Sequence, residues 1–169
     1  MQKTSLRKLK VPVNATPRPL TQPTDEILHF TLSGLLTAGH TLALNTTLGT
    51  LSQLSYTVDG PRLIAEQQFT NSEICVLKPI LESHPHFCPY EVLLASFNSP
   101  NATELAIARS RQRLHEAQRL GMWDQEMRPV RNVLSRARLK MHSFGLDIFS
   151  ILETGYVLMP KSKYRRAEA

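Results

Sequence analysis

Phe69-Thr70-Asn71-Ser72-Glu73-Ile74 marks a helix start that two separate local signals fix. The Thr70 hydroxyl is placed to accept from the Glu73 amide, while the Glu73 side chain reaches back to the Thr70 amide, which is a capping box. Phe69 before the cap and Ile74 four residues after it have the spacing of a hydrophobic staple. Residues 27–68, ahead of this start, read as strand, and most of the chain beyond it reads as helix. A chain in which strands and helices are segregated in this way belongs to the α+β class. Within residues 27–68, Leu42, Leu44, Leu48, Leu51 and Leu54 sit among Thr and Ser. Tyr56-Thr57-Val58 and Leu63-Ile64-Ala65 flank Asp59-Gly60, a pair suited to the positive φ of a tight hairpin. An N-terminal antiparallel β-sheet is expected there.

Four helices are expected after it. In the first, over 69–83, Ile74, Leu77 and Leu81 share a face, and Pro79 removes a backbone donor and should kink or shorten the last turn. His84-Pro85-His86-Phe87-Cys88-Pro89 reads as a turn. A second helix should run from about Pro89, well suited to a first helical position, to Phe97. Asn101 and Glu104 can open a third, which runs to about Leu120 and stops at Gly121. The fourth should run from Arg128-Pro129 to about His142, with Val130, Leu134, Ala137 and Met141 on its apolar face. Its other side shows Arg131, Asn132, Ser135, Arg136, Arg138 and Lys140. After Gly145, residues 146–158 read as two short strands about Glu153-Thr154-Gly155. Trp123 and Met127, between the third and fourth helices, are expected to be local core.

The charge is unevenly placed. From Arg109 to Ala169 there are 13 Lys and Arg against 6 Asp and Glu, a net +7, and the rest of the chain carries −1. A basic C-terminal part suits a polyanionic partner, nucleic acid first, although a solvated arginine-rich helix surface would show the same count. Residues 1–26 read as an extended arm with Lys3, Arg7, Lys8 and Lys10 followed by Pro12, Pro17, Pro19 and Pro23, and residues 161–169 as a basic tail. No apolar stretch with a cleavage site comes after the basic start, and no run nears the roughly 18 apolar residues of a membrane span. Cys75 and Cys88 are too few for a disulfide framework, so a reducing, cytoplasmic setting is expected.

The order of capped helix, tight turn, short helix, arginine-bearing amphipathic helix and closing hairpin resembles the OmpR/PhoB-type winged-helix effector domain. The likeness covers roughly residues 50–160, interrupted by an insert over 98–127. Tyr56-Thr57-Val58-Asp59-Gly60 resembles the family's hairpin, and Phe69 to Ile74 its "LTPxE" helix start. Cys88-Pro89-Tyr90-Glu91-Val92-Leu93-Leu94 resembles its "SREELL" helix, with Cys88 where a capping Ser stands. Arg128-Pro129-Val130 and Leu134 to Met141 resemble its recognition helix, and Ile151 to Leu158, with the pair Gly155-Tyr156, resembles its wing.

The resemblance implies a winged helix-turn-helix with the sheet over 27–68, two helices over 69–97, a recognition helix over 128–142 and a wing over 146–158. It also implies a function: sequence-preferring binding to double-stranded DNA, as in a transcription regulator. Carried over, Arg128, Arg136 and Arg138 match positions that meet DNA. Arg136 suits a guanine edge, and Arg128 and Arg138 suit phosphate. Arg131, Asn132, Ser135 and Lys140 join them by helical spacing alone. Arg109 and Arg113, four apart on the insert helix, are expected to add phosphate contacts. The insert could instead face RNA polymerase or another protein. The departures are Leu152 and Val157 in the wing, where the family has arginines, Glu153 beside them, which would repel phosphate, and the lack of room for a receiver domain. These favour a second expectation, a non-catalytic interaction or structural subunit of a nucleoprotein assembly. No nucleophile-elbow, phosphate-loop or metalloprotease pattern is present, so neither an enzyme nor a cofactor is expected. His84, His86 and Cys88 alternate without a second ligand cluster, so no metal site is expected either.

Overall fold

The computed structural model describes residues 26–99 and 101–162. The expected N-terminal arm, apart from Glu26, and residues 163–169 of the basic tail lie outside them. The described residues form an α+β fold with two antiparallel sheets and four helices.

Four strands come first, β1 (Ile27–Phe30), β2 (His40–Asn45), β3 (Thr50–Thr57) and β4 (Gly60–Gln68), paired in sequence order. Alternation sends Leu42 and Leu44 of β2 and Leu51 of β3 to one face, where each is fully buried. Gln53 shares that side, and its amide meets the His40 ring at 3.0 Å. The β3–β4 hairpin forms where Asp59-Gly60 placed it, with Thr57 opposite Gly60. Leu48, expected among the strand leucines, sits in the β2–β3 turn and is exposed.

The sheet hands over to α1 (Asn71–Ser83) through the expected cap. The Glu73 amide donates to Thr70 Oγ1 at 3.3 Å, and the Thr70 amide donates to Glu73 Oε2 at 3.1 Å. Val76, Leu77, Ile80 and Leu81 turn into the core, where α1 packs against α2 and α4. Pro79 does not end the helix: the backbone stays helical to Ser83, whose hydroxyl donates to the Pro79 carbonyl at 2.7 Å.

A two-residue strand, β5 (Cys88–Pro89), precedes α2 (Tyr90–Asn98). The expected capping role of Cys88 is not what the backbone shows. Pro89 is the residue before the first turn and gives no side-chain cap, while Cys88 is fully buried opposite Tyr156. Burial raises its thiol to about 11, further raised by the charges of Glu91 and Glu82 and opposed by a hydrogen bond from Ser83. Cys88 is thus an inert core thiol.

The insert folds as α3 (Glu104–Arg119), capped by Thr103, and buries Ser110, Leu114 and Ala117. After Gly121, α4 (Trp123–Met141) begins five residues before the expected Arg128. Pro129 therefore lies inside the helix, on its exposed side. Met127, buried, and Trp123, partly buried, pack the preceding turns onto the core. That burial stabilises helix ahead of the proline, where local propensity alone gave a boundary. A single 3-10 turn, His142–Phe144, leads to the hairpin β6 (Leu146–Ile151) and β7 (Gly155–Pro160). Strand β7 pairs with both β6 and β5, so the second sheet has the order β5-β7-β6. Among the described residues, no helix is long and apolar enough to cross a membrane.

Candidate nucleic-acid interface

The long helix α4 has one buried and one open side. Met127, Val130, Val133, Leu134, Ala137 and Met141 face the core. At about 100° per residue, Arg128, Asn132, Ser135 and Leu139 form the centre of the opposite stripe. Arg131 and Arg136 flank it on either side, and all six are exposed. Leu139, 68% exposed at the middle of this stripe, was not singled out by the sequence reading because the pattern around it is set by charge.

The basic side chains of this helix divide into two groups. Arg128 makes no hydrogen bond or ion pair among the described residues, and the same holds for the Asn132 side chain. Arg131 Nη2 reaches back two turns to Asp124, at 2.6 Å from Oδ1 and 3.3 Å from its carbonyl oxygen. Ser135 donates to the Arg131 carbonyl at 2.9 Å. Arg136 remains open to solvent with its Nε 3.7 Å from Glu73 Oε1.

Arg138 and Lys140, by contrast, are drawn away from the stripe into the fold. Arg138 grips Asp147 through Nε and Nη2, the latter at 3.0 Å from Oδ2, and its guanidinium sits 5.3 Å from the centre of the Phe149 ring. Burial would raise the Asp147 carboxyl. Hydrogen bonds from Arg138, from His142 Nε2 at 3.1 Å and from the Ile148 amide at 2.9 Å outweigh it and hold that carboxyl at about 2. Lys140 Nζ donates to Glu73 Oε2 at 2.6 Å and to the Gln68 carbonyl at 2.9 Å, over the Phe69 ring. Glu73 and Asp147 are the carboxylate partners of these two cations that the sequence reading missed. Glu73 carried only a capping signal, and both meet α4 through tertiary contacts that no local pattern encodes.

The insert helix lies against α2 and the start of α4. Arg111 pairs with Glu91 at 3.3 Å, Arg113 with Glu126 at 2.8 Å and Arg119 with Glu116 at 2.8 Å. Arg109 is exposed with no ion pair among the described residues. Glu126 is two residues before Arg128, about 160° around the helix from it. Arg113 therefore stands on a flank of α4 well away from the open stripe.

The β6–β7 hairpin is held beside α4 by an aromatic cluster. Tyr90 meets Trp123 and Tyr156 edge to face, with ring centres 5.2 and 5.5 Å apart, and its hydroxyl donates to the Ile151 carbonyl at 2.9 Å. Burial raises both tyrosines above their ordinary pKa, so both stay neutral. Leu152 projects from the turn, 86% exposed, and Glu153 holds φ +55 beside it. A groove of 680 Å³ opens between this turn, α2, α3 and the start of α4. Two ion pairs line it, Glu91 with Arg111 and Asp124 with Arg131, and Glu153 lines it with no ion pair among the described residues. Among the described residues, no group of three or more His, Cys, Asp or Glu could hold a metal ion. No protein-family model, curated protein or solved structure matches the chain.

Proposed function

We propose that this chain is a winged-helix protein of OmpR/PhoB type that binds double-stranded DNA with sequence preference, and that it regulates transcription in the cytoplasm. The observation that carries the reading is the open stripe of α4. It presents Arg128, Arg131, Asn132, Ser135 and Arg136 on one side of a 19-residue helix whose other side is core. A helix of this kind fits the major groove when two others hold it from behind, and α1 and α2 pack there. The element order supports the same reading, with a hairpin that returns to pair beside α2 and stands next to the stripe. Base edges would be read by Arg136, Asn132 and Arg131, and phosphate would be met by Arg128. The reading needs no catalysis and no cofactor.

The test is duplex binding across a range of salt, followed by selection of bound sequences from a random pool. Specific binding that survives competitor DNA, with affinity falling steeply as salt rises, is the expected result. No measurable duplex binding at about 50 mM salt would sink the reading.

A second reading rests on the insert. Leu105, Leu120 and Met122 are exposed along the flank of α3 that carries Arg109 and Arg113. Exposed apolar side chains ringed by the Arg113–Glu126 and Arg119–Glu116 pairs suit a protein surface, such as one on RNA polymerase or another subunit of a nucleoprotein assembly. If Leu120 and Met122 serve that purpose, changing both to Ser weakens the protein complex and leaves duplex binding alone.

A further inference from the structure

We infer that Glu73 is a specificity-determining residue of the α4 surface: it keeps Lys140 off phosphate and aims Arg136 at a base. The inference rests on the DNA-binding reading above. Glu73 is 1% exposed, and it is a carboxylate buried at the point where β4, α1 and α4 meet. Its two oxygens serve different elements. Oε2 accepts from the Thr70 amide and from Lys140 Nζ, which is also held by the Gln68 carbonyl. Oε1 faces Arg136 Nε at 3.7 Å.

The two cations respond differently to this carboxylate. Lys140 is a compact charge on a flexible stem, and free it would reach any nearby phosphate regardless of sequence. Bound twice inside the fold, it is withdrawn from that role. Arg136 stays mostly exposed. Its Nε is 3.7 Å from the carboxylate, and its two terminal nitrogens, the pair that an Arg uses end-on against guanine O6 and N7, have no partner among the described residues. A guanidinium restrained before binding loses less freedom on contact than one that samples every rotamer. One buried carboxylate thus subtracts from sequence-blind attraction and adds to base selection.

Glu73→Gln isolates this role, because Gln still satisfies a capping box. The wild type and the variant are compared for binding to the duplex selected by the wild type and to a scrambled duplex, over a salt series. Circular dichroism and thermal melting verify that both are folded. In Glu73→Gln, the expected result is tighter binding to the scrambled duplex, a salt slope steeper by up to about 2, and a specific-to-scrambled ratio lower by about tenfold. Damage to the fold would move affinity the opposite way on both duplexes. Lys140→Gln is the second variant, and it should leave the salt slope unchanged. A slope lower by about 1 in Lys140→Gln would make Lys140 a phosphate contact and overturn the inference. An unchanged ratio and slope in Glu73→Gln would overturn it too, with the DNA-binding reading left standing. A wild type that binds neither duplex overturns both.

Discussion

Arg138 and Asp147 hold each other through two parallel hydrogen bonds that tie the last turn of α4 to the first strand of the hairpin. The same carboxylate takes the His142 ring and the Ile148 amide, so the turn between helix and strand is gathered around one buried charge. The hairpin's position beside the open stripe depends on this pair and on the Tyr90 cluster.

Asp147→Asn removes the charge and keeps the shape. Breaking a buried pair costs about 3–5 kcal/mol, and solvent at the half-exposed Arg138 reduces that to about 2–3 kcal/mol here. For a chain of this size the thermal midpoint should fall by roughly 5–10 °C. A fall of less than about 1 °C would show that the pair contributes nothing net.

The same carboxylate sets an acid limit. Its folded pKa, about 2, lies below its ordinary value. The stabilisation is therefore complete above the ordinary carboxylate range and is lost as pH falls toward 2. By linkage it amounts to about 2 kcal/mol. Urea unfolding of wild type and Asp147→Asn between pH 7 and pH 2 checks it. The gap between the two should be constant down to about pH 5 and close between about pH 4 and pH 2. A gap that persists at pH 2 would assign the loss to packing instead of charge.

Gly155 lies where β7 passes β5. A Cβ built there overlaps the Cys88 carbonyl oxygen and presses on the Pro89 backbone, neither of which is a flexible side-chain end. Gly155→Ala should cost about 3 kcal/mol by pushing β5 off β7, measured as a lower urea midpoint. An unchanged midpoint would mean that the β5–β7 pairing is dispensable.

The parts of the fold that were legible are those encoded locally. Thr70 and Glu73 with Phe69 and Ile74 placed α1, Asp59-Gly60 placed a hairpin, and Gly121 and Gly145 closed helices where they stand. The start of α4 was not legible, because Pro129 imitates a helix start and the burial of Trp123 and Met127 that overrides it is tertiary. The same limit applied to the site. Helical spacing placed Arg131, Asn132, Ser135 and Arg136 on an open face, as found. It also placed Arg138 and Lys140 with them, since spacing cannot report a carboxylate that arrives from another element. Asp147 lies nine residues after Arg138 and Glu73 precedes Lys140 by 67, both beyond any local motif.

The contrast between Arg128 and Arg138 tests whether the structure or the resemblance better assigns the phosphate contacts. The resemblance puts both on phosphate. In the fold, Arg128 is open at the centre of the stripe, whereas Arg138 already has two bonds to Asp147 and could reach phosphate only by leaving that carboxylate buried and unpaired. Arg128→Ala should therefore weaken binding to all duplexes and lower the salt slope by about 1, with no change in melting temperature. Arg138→Ala should do the reverse, with a lower melting temperature and a salt slope within about 0.3 of wild type. Arg136→Ala separates from both by relaxing preference at one base position, at about 1–3 kcal/mol. If Arg138→Ala lowers the slope as much as Arg128→Ala, the Asp147 pair opens on DNA, and Arg138 belongs to the interface after all.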